Sequence, residues 1–574
     1  MSAARVGMPT KLGQMVFTAK ASGLRLRRHL RNLKTPVCTC SKGRPENFPH
    51  VLAEVRTPLF TGLTGSERAL ELGKIQNLRV AAKKLNELCV PANGVFSFWK
   101  ELGKCTRPRG YVLGRQLQEG CLIPAIGGGL CQLSNSLYEA ALKAKFEIVE
   151  RHPHSQIVLG SAAERGMDAT VAWNYVDLRF RAARPTLLTV QLTADELIVT
   201  LRGAEAPTSR RTLLPLIDQR SGLDADRHSC ASCGQTDCFR EDSAAALVSA
   251  ERTAFLLDEW WPEFDPYLSE FVKPWLYAPL DGVRFKRPAY RFPVRQFERV
   301  KYATLPTLIR AYKQRRLPRQ GSQLQRTLLQ NSESLADVYA RWLDPDTTHV
   351  VVSIGLLPFL WRSGVLGGRT YDVLMTRDSM AGVQAKLDAA AAKHPERGLL
   401  SDFRAESSLV EDELEALRNA RRLVTPHAEI AQAWPNAYKL DWPLPPAKSY
   451  KPGPAILFPG PTISRKGAYE VREVARRLGV EVVLMGSDLE GPDFWAGVKT
   501  RKVSREDNWL DGVCAVVFPA VVEHRPRVLL TAIASGCPII ATAACGLGDL
   551  PGWTCVEEGD VEALYRACSQ AGVA

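Results

Sequence analysis

The sequence predicts a multidomain protein of mixed α/β and α+β class: an N-terminal α+β domain followed by a pair of doubly wound domains. Three observations predict it. At roughly 150 residues per domain, 574 residues make about three to four folding units. The last third alternates short apolar strands, tight turns and amphipathic helices, the rhythm of a parallel sheet. Residues 1 to 208 mix α and β patterns without that alternation. A hydrophobic content of 45%, a charged content of 24% and a mean hydropathy of −0.14 exclude a mainly disordered chain, a fibre and a multi-span membrane protein. Composition shifts place a basic helical arm over 1–45, a domain over 46–208 and a Cys-bearing linker over 209–250. Two α/β halves follow, over 251–445 and 446–574.

The arm comes first. Of a net charge of +14, ten positive residues fall within 1–45, from Arg5 to Arg44, with no acid among them. Such an arm suits an acidic partner, namely nucleic acid, anionic lipid or an anionic substrate. The plainer reading is a solvated helix face. No homeodomain, zinc-finger or RNP pattern follows, so no specific nucleic acid is expected. Peripheral contact with an anionic membrane remains the arm's expected role. Met15 to Ala19 is too short for a signal-peptide core, and Val350 to Trp361 too short to span a bilayer. The expectation is a cytoplasmic protein, peripheral at the inner face of the membrane.

In the next domain, Gly127-Gly128-Gly129-Leu130-Cys131-Gln132-Leu133-Ser134 opens a helix. Leu130, Leu133, Leu137, Ala140, Ala141 and Ala144 recur at helical spacing. Cys131 then sits near the helix N-terminus, where the dipole and free N–H groups favour a thiolate. Glycines before it let a substrate backbone approach and can supply N–H donors to an oxyanion. His152-Pro153-His154 follows, and in an extended segment the two imidazoles share a face. Either is a candidate base for a Cys–His pair, with Asp168 or Asp177 to orient it. The structural alternative is a buried cysteine beside a Gly-rich turn.

These segments resemble the VanW family. The resemblance is carried by Gly94-Val95-Phe96-Ser97-Phe98, by Gly127 to Asn135, by Val149 to Ser155, by Asp168-Ala169-Thr170-Val171 and by Asp177-Leu178. It covers roughly residues 15–205. The family takes its name from a glycopeptide-resistance gene cluster, and some extracytoplasmic members are cysteine-dependent L,D-transpeptidases that cross-link peptidoglycan. By resemblance Cys131 matches their nucleophile, and His152 or His154 its partner. With no export signal visible, the expected substrate is a cytoplasmic acyl or peptidyl precursor.

The linker carries Cys230-x2-Cys233-x4-Cys238 in a polar stretch. Three thiolates at this spacing can chelate one metal ion, zinc ahead of an iron–sulfur cluster. His228, Cys38 or Cys40 would be the fourth ligand, and such a site would staple the arm to the linker. The alternative is a reduced, exposed loop. Most of the other cysteines among the 14 read as small core residues.

In the first α/β half, Val350 to Ile354, Asp372 to Met375 and Arg422 to Pro426 read as strands. The aromatic group Trp260, Trp261, Phe264 and Tyr267 reads as core rather than an acceptor groove. No convincing catalytic base stands out. In the second half Pro454 to Phe458, Val480 to Met485, Val513 to Pro519 and Pro538 to Ala541 read as strands. Gly467 to Leu478 and Pro526 to Ser535 read as helices. In a doubly wound sheet, ligands sit at the carboxyl ends of such strands. Gly460 makes the close turn after the first strand, and Arg465-Lys466-Gly467 follows it. An Arg fork and a Lys point charge there suit a diphosphate, and Glu523, after a later strand, can accept hydroxyl hydrogen bonds.

Val516-Val517-Phe518-Pro519 leading to Glu523 and then Ala532 to Pro538 resembles the C-terminal half of GT-B glycosyltransferases of the large retaining family. By resemblance Arg465 and Lys466 match the pyrophosphate-binding pair, and Glu523 the first acid of the family pattern. Thr531 replaces its second acid. Residues 251–445 then match the acceptor half and 446–574 the nucleotide-sugar half. The resemblance implies a nucleotide sugar as donor substrate. The leading expectation is glycosyl transfer to a cell-envelope or secondary-metabolite precursor, coupled to an acyl or peptidyl transfer by Cys131. One rival is a cysteine acyltransferase with an inactive, carbohydrate-binding GT-B half. Another is a non-enzymatic, metal-stapled scaffold for envelope assembly.

Overall fold

The structure is a computed structural model. It describes residues 19–20, 22–28, 30, 32, 37–62, 65–118, 121–154, 164–206, 251–314, 322–402, 404–504 and 508–573. The chain divides into two compact units. The first comprises residues 1–252 with Leu343–Thr348 and Ser363–Arg369, and the second holds the rest.

In the first unit an antiparallel sheet is built from β1 (Ser41–Lys42), β2 (His50–Pro58), β3 (Leu88–Val90), β9 (Thr186–Leu192) and β10 (Glu196–Gly203), in the order β1-β3-β9-β10-β2. Alternation makes its inner face: Leu188 and Val190 on β9, then Leu197, Val199 and Leu201 on β10, are buried. A smaller sheet joins β4 (Val95–Ser97), β8 (Arg179–Arg181) and β7 (Glu147–Glu150), and β5 (Leu113–Gln118) pairs with β6 (Cys121–Ile126) as a hairpin. Helix α1 (Gly65–Leu85) buries Leu72, Ile75, Leu78, Ala82 and Leu85, a stripe at three- and four-residue spacing. Helix α2 (Cys131–Lys143) buries Leu133, Leu137, Ala140 and Ala141 on the face predicted from the sequence and lies against β2 and β10.

Arg28 of the basic arm is committed inside this unit. Residues 22–28 are helical, and Arg28, 7% exposed, pairs with Glu150, 17% exposed. Its guanidinium also donates to Tyr175 O at 3.0 Å.

The second unit contains two sheets. The larger joins β11 (Arg252–Leu256), β12 (Trp275–Ala278), β13 (Arg299–Tyr302), β14 (Thr347–Ser353), β15 (Thr370–Leu374), β16 (Arg422–Thr425) and β17 (Ala437–Lys439), in the order β13-β12-β11-β14-β15-β16-β17. The other joins β18 (Ala455–Phe458), β19 (Val482–Leu484), β20 (Thr500–Lys502), β21 (Val513–Phe518), β22 (Ile539–Thr542) and β23 (Trp553–Val556), in the order β20-β19-β18-β21-β22-β23. Every pairing in the second sheet is parallel. Both orders are the doubly wound one, in which the strand sequence reverses beside the first strand and leaves a crevice at the carboxyl ends. Strands such as Ala455–Phe458 and Ile539–Thr542 are buried throughout, as a parallel sheet covered on both faces requires. Trp260, Trp261, Phe264 and Tyr267 are all buried core.

The two sheets of this unit meet through polar contacts. His427, which starts the helix Ala428–Ala433, accepts from Ile430 N through Nδ1 at 3.3 Å. Its Nε2 then carries the proton and reaches Glu523 O at 2.9 Å and Ala544 O at 3.2 Å. Arg527 and Arg525 of the second sheet's side share the carboxylate of buried Glu263.

Candidate functional site

The first site lies in the first unit, at the start of α2. The glycines before Cys131 are absorbed by packing rather than left open to a substrate. Gly127 and Gly129 adopt φ of +80° and +95°, a region that favours glycine. A Cβ on Gly128 would lie 2.3 Å from Gly114 O, and one on Gly129 2.1 Å from Lys74 Cγ. Gly127 N and Gly128 N donate to Val112 O and Ala125 O at 3.1 and 3.0 Å. They are committed donors, which corrects the expectation of an oxyanion hole from these two glycines. Buried Asn77 locks the turn by donating to Gly128 O at 2.9 Å and accepting from Val112 N at 2.9 Å.

The residues after Cys131 explain the rest of the motif. Gln132 Nε2 donates to Pro58 O at 2.8 Å, tying the helix start to the end of β2. Ser134 Oγ donates to Ala169 O at 2.6 Å, and Asn135 Oδ1 accepts from Ala169 N at 2.7 Å. These two bonds bring the segment carrying Asp168 to the helix that carries Cys131.

Asp168 Oδ2 then accepts from His154 Nδ1 at 2.9 Å and from His154 N at 2.6 Å. Its Oδ1 is held by Arg151 at 2.6 Å. The hydrogen bond to Asp168, then one with the Cys131 side chain, raise His154 to about 9 against the opposing effect of burial. Burial pushes Asp168 up, but the hydrogen bonds from His154 and the charge of Arg151 outweigh it and hold the carboxyl at about 2. Asp168 thus orients the His154 imidazole through Nδ1, and the Cys131 side chain is among the groups that raise it.

His152 and Asp177 do not join them. His152, 47% exposed, meets Glu150 Oε1 at 3.1 Å. The expected shared face fails because the strand ends at Glu150 and period-two alternation ends with it. Asp177 accepts from Ser97 Oγ at 2.6 Å, Trp99 N at 3.2 Å and Arg179 Nε at 2.8 Å, which makes it a brace for the turn after β4.

The second site lies in the second unit, at the carboxyl ends of β18 and β21. Gly460 follows β18, and Ser464–Lys466 forms a short 3-10 turn. Gly467 has φ +79°, and a Cβ there would lie 2.3 Å from Pro519 O, so the turn and the end of β21 touch through this glycine. Lys466 Nζ reaches Glu523 Oε2 at 2.9 Å and Val522 O at 2.6 Å. Burial raises Glu523, but the Lys466 charge and the N–H of Arg525 outweigh it and hold Glu523 below the usual carboxylate range. Burial lowers Arg465, whose charge is opposed by Asp402 from the first half and Glu490 from the second. Arg465, Lys466, Gly460 and Glu523 therefore lie close together at these strand ends. Thr531 Oγ donates back to Arg527 O at 3.0 Å within its own helix and does not replace a carboxylate.

Four further residues of the second unit escaped the sequence reading. His427 bridges the two sheets. Burial, with Lys466 and His427 beside it, drives His524 well below the ordinary histidine value and keeps it neutral. Asp258 and Glu259 follow β11, at the point where the first sheet's strand order reverses. Burial and then the Asp258 charge push Glu259 up to about 7. An Asp-Glu pair directly after an apolar strand was the available signal.

Cys230, Cys233, Cys238 and His228 lie outside the described residues. Cys38 and Cys40 have their sulfurs 3.9 Å apart, with Cys38 Sγ 3.2 Å from Val95 O. Among the described residues, no group of three or more His, Cys, Asp or Glu is gathered for a metal. No helix among them is long and apolar enough to cross a membrane.

Comparison with known proteins matches residues 73–202 to the family model described as VanW like protein. The chain is 32% identical over 178 residues to uncharacterized protein YoaR of Bacillus subtilis, covering 31% of this chain and 58% of that protein. It is 29% identical over 154 residues to the vancomycin B-type resistance protein VanW of Enterococcus faecalis, covering 26% and 56%. The chain therefore spans little more than half the length of these relatives. A UDP-forming α,α-trehalose-phosphate synthase of Burkholderia xenovorans aligns over 56% of this chain and 91% of its own, at 11% identity and a TM-score of 0.35. The motif positions and the family match coincide: residues 73–202 match the VanW model and are followed in this chain by two doubly wound sheets.

Proposed function

We propose that the second unit transfers a sugar from a nucleotide-sugar donor to a cell-envelope or secondary-metabolite precursor, with retention of configuration. The observation that carries this is the meeting of Arg465, Lys466 and Glu523 at the carboxyl ends of β18 and β21. Arg465 and Lys466 would neutralise the diphosphate, and Glu523, kept ionised by Lys466, would accept hydroxyls of the donor. The acceptor would enter from the β11 side, past Asp258 and Glu259. Calorimetric titration with a panel of nucleotide sugars tests the reading. Saturable binding of one nucleotide family, lost in Arg465→Ala/Lys466→Ala, supports it. No binding by folded protein ends it.

A second reading is favoured by Thr531, which is turned back onto its own helix, and by the order of Cys131, His154 and Asp168. Here Cys131 is the working centre and the doubly wound half only binds carbohydrate. The Cys131 thiolate would attack an acyl carbonyl, forming a thioester, while the His154 imidazolium gives its proton to the departing amine. A second amine would then attack the thioester carbonyl, giving its proton to the now neutral His154 as the C–S bond breaks and the Cys131 thiolate leaves. This reading predicts loss of function in Cys131→Ala but not in Glu523→Ala, whereas glycosyl transfer predicts loss in Glu523→Ala.

A further inference from the structure

Helix α3 (Thr304–Gln314) leaves the edge strand β13 with its apolar residues facing outward. Leu305, Leu308, Ile309 and Tyr312 are 70%, 44%, 49% and 58% exposed. Their spacing of i, i+3, i+4 and i+7 makes one continuous stripe. The inner side is set by Ala303 and Thr307, both buried. Thr307 Oγ lies 2.9 Å from Pro279 O and 2.8 Å from Ala303 O, which pins the helix start to the loop after β12.

That loop is basic and also exposes apolar side chains. Val283 and Val294 are 74% and 41% exposed, and Arg284, Lys286, Arg287, Arg291 and Arg295 between and beside them are exposed. Across residues 283–314 nine Lys and Arg stand against one acid, Glu298. Glu298 is engaged by Trp275 Nε1 at 3.0 Å.

We propose that α3 and the basic loop 283–295 form a surface that docks on an anionic lipid bilayer. A short helix with an outward apolar stripe beside clustered cations lies in the bilayer interface, with its stripe among the acyl chains and the cations at lipid phosphates. Tyrosine suits that boundary. A second copy of the chain is a poor occupant, because a self-complementary contact would bring two strongly positive patches together. A nucleic acid leaves the apolar stripe unused. The proposal stands whichever transfer reaction the chain performs.

The test is co-sedimentation of the full chain with vesicles of phosphatidylcholine alone or with phosphatidylglycerol added. Binding is expected only to the anionic vesicles and should weaken as salt rises. Leu308→Asp/Ile309→Asp should weaken it at least about tenfold, and Arg284→Glu/Arg287→Glu should do likewise. These positions are exposed, and circular dichroism is the check that the variants fold. Tyr312→Trp should show a blue-shifted emission on adding anionic vesicles. The proposal is overturned if no vesicle is bound, if neutral vesicles bind equally, or if both pairs leave binding intact. Loss in Lys20→Ala/Arg27→Ala alone would assign the membrane to the N-terminal arm. A solution dimer dispersed by Leu308→Asp/Ile309→Asp would assign the stripe to a second copy.

Discussion

Asp168 splits its two oxygens between neighbours of different kinds: Oδ1 is held by Arg151 at 2.6 Å, and Oδ2 by His154 Nδ1 at 2.9 Å. One carboxylate therefore sets both the orientation and the charge of the imidazole beside Cys131. In Asp168→Asn the His154 value should fall from about 9 towards the ordinary 6.5, because the leading cause of its rise is removed. NMR titration of the His154 ring measures this, and an unchanged value would detach the pair.

If Cys131 performs acyl transfer, Cys131→Ala should abolish it. His154→Gln should cost roughly 10²- to 10⁴-fold in kcat/KM, the range of a lost general acid–base group. His152→Gln should cost little, since that ring meets Glu150 instead. Single-turnover thioester formation on a peptidyl substrate is the measurement.

Stability should respond to pH with opposite sign in the two units. His154 is raised, so its contribution is complete below about 6.5 and disappears as pH rises through about 9. His427 is lowered by burial, so its contribution is complete above about 6.5 and declines as pH falls below that. Hydrogen exchange should show residues 131–154 loosening at alkaline pH and residues 425–433 at acid pH.

His427→Ala should destabilise the second unit by about 1–3 kcal/mol, the cost of leaving buried backbone groups without a partner. Ile430 N, Glu523 O and Ala544 O all lose a partner. Urea denaturation gives the value. His427→Asn should recover part of it by restoring the helix cap.

Arg28→Ala should leave Glu150 in its half-buried place with His152, Arg179 and the Asp177 N–H as its remaining partners. A loss of about 1–3 kcal/mol is expected, read from the melting of the first unit. Arg27→Ala, on the exposed side of the same helix, should be nearly neutral.

Much of this was legible in the sequence for a local reason. Apolar runs such as Ala455–Phe458 and Val513–Phe518, punctuated by glycine and proline, state that a parallel sheet is present. The spacing from Leu133 to Ala141 states which face of the cysteine helix is buried. Arg465, Lys466 and Glu523 lie at strand ends, and the doubly wound order converts strand ends into one crevice. The VanW domain was legible from its motifs, and residues 73–202 carry it.

What the chain alone determined, then, was the direction and burial of side chains within each element, because periodicity is a property of neighbouring residues. Only the tertiary structure paired Asp168 with His154 and not with His152, by holding the Asp168 segment through Ser134 and Asn135. It alone spent Gly127 and Gly128 on the hairpin, and it alone placed His427 against the carbonyl of Glu523, 96 residues away. Those pairings depend on how intervening loops close, and loop closure leaves no periodic trace in the amino acids that are brought together.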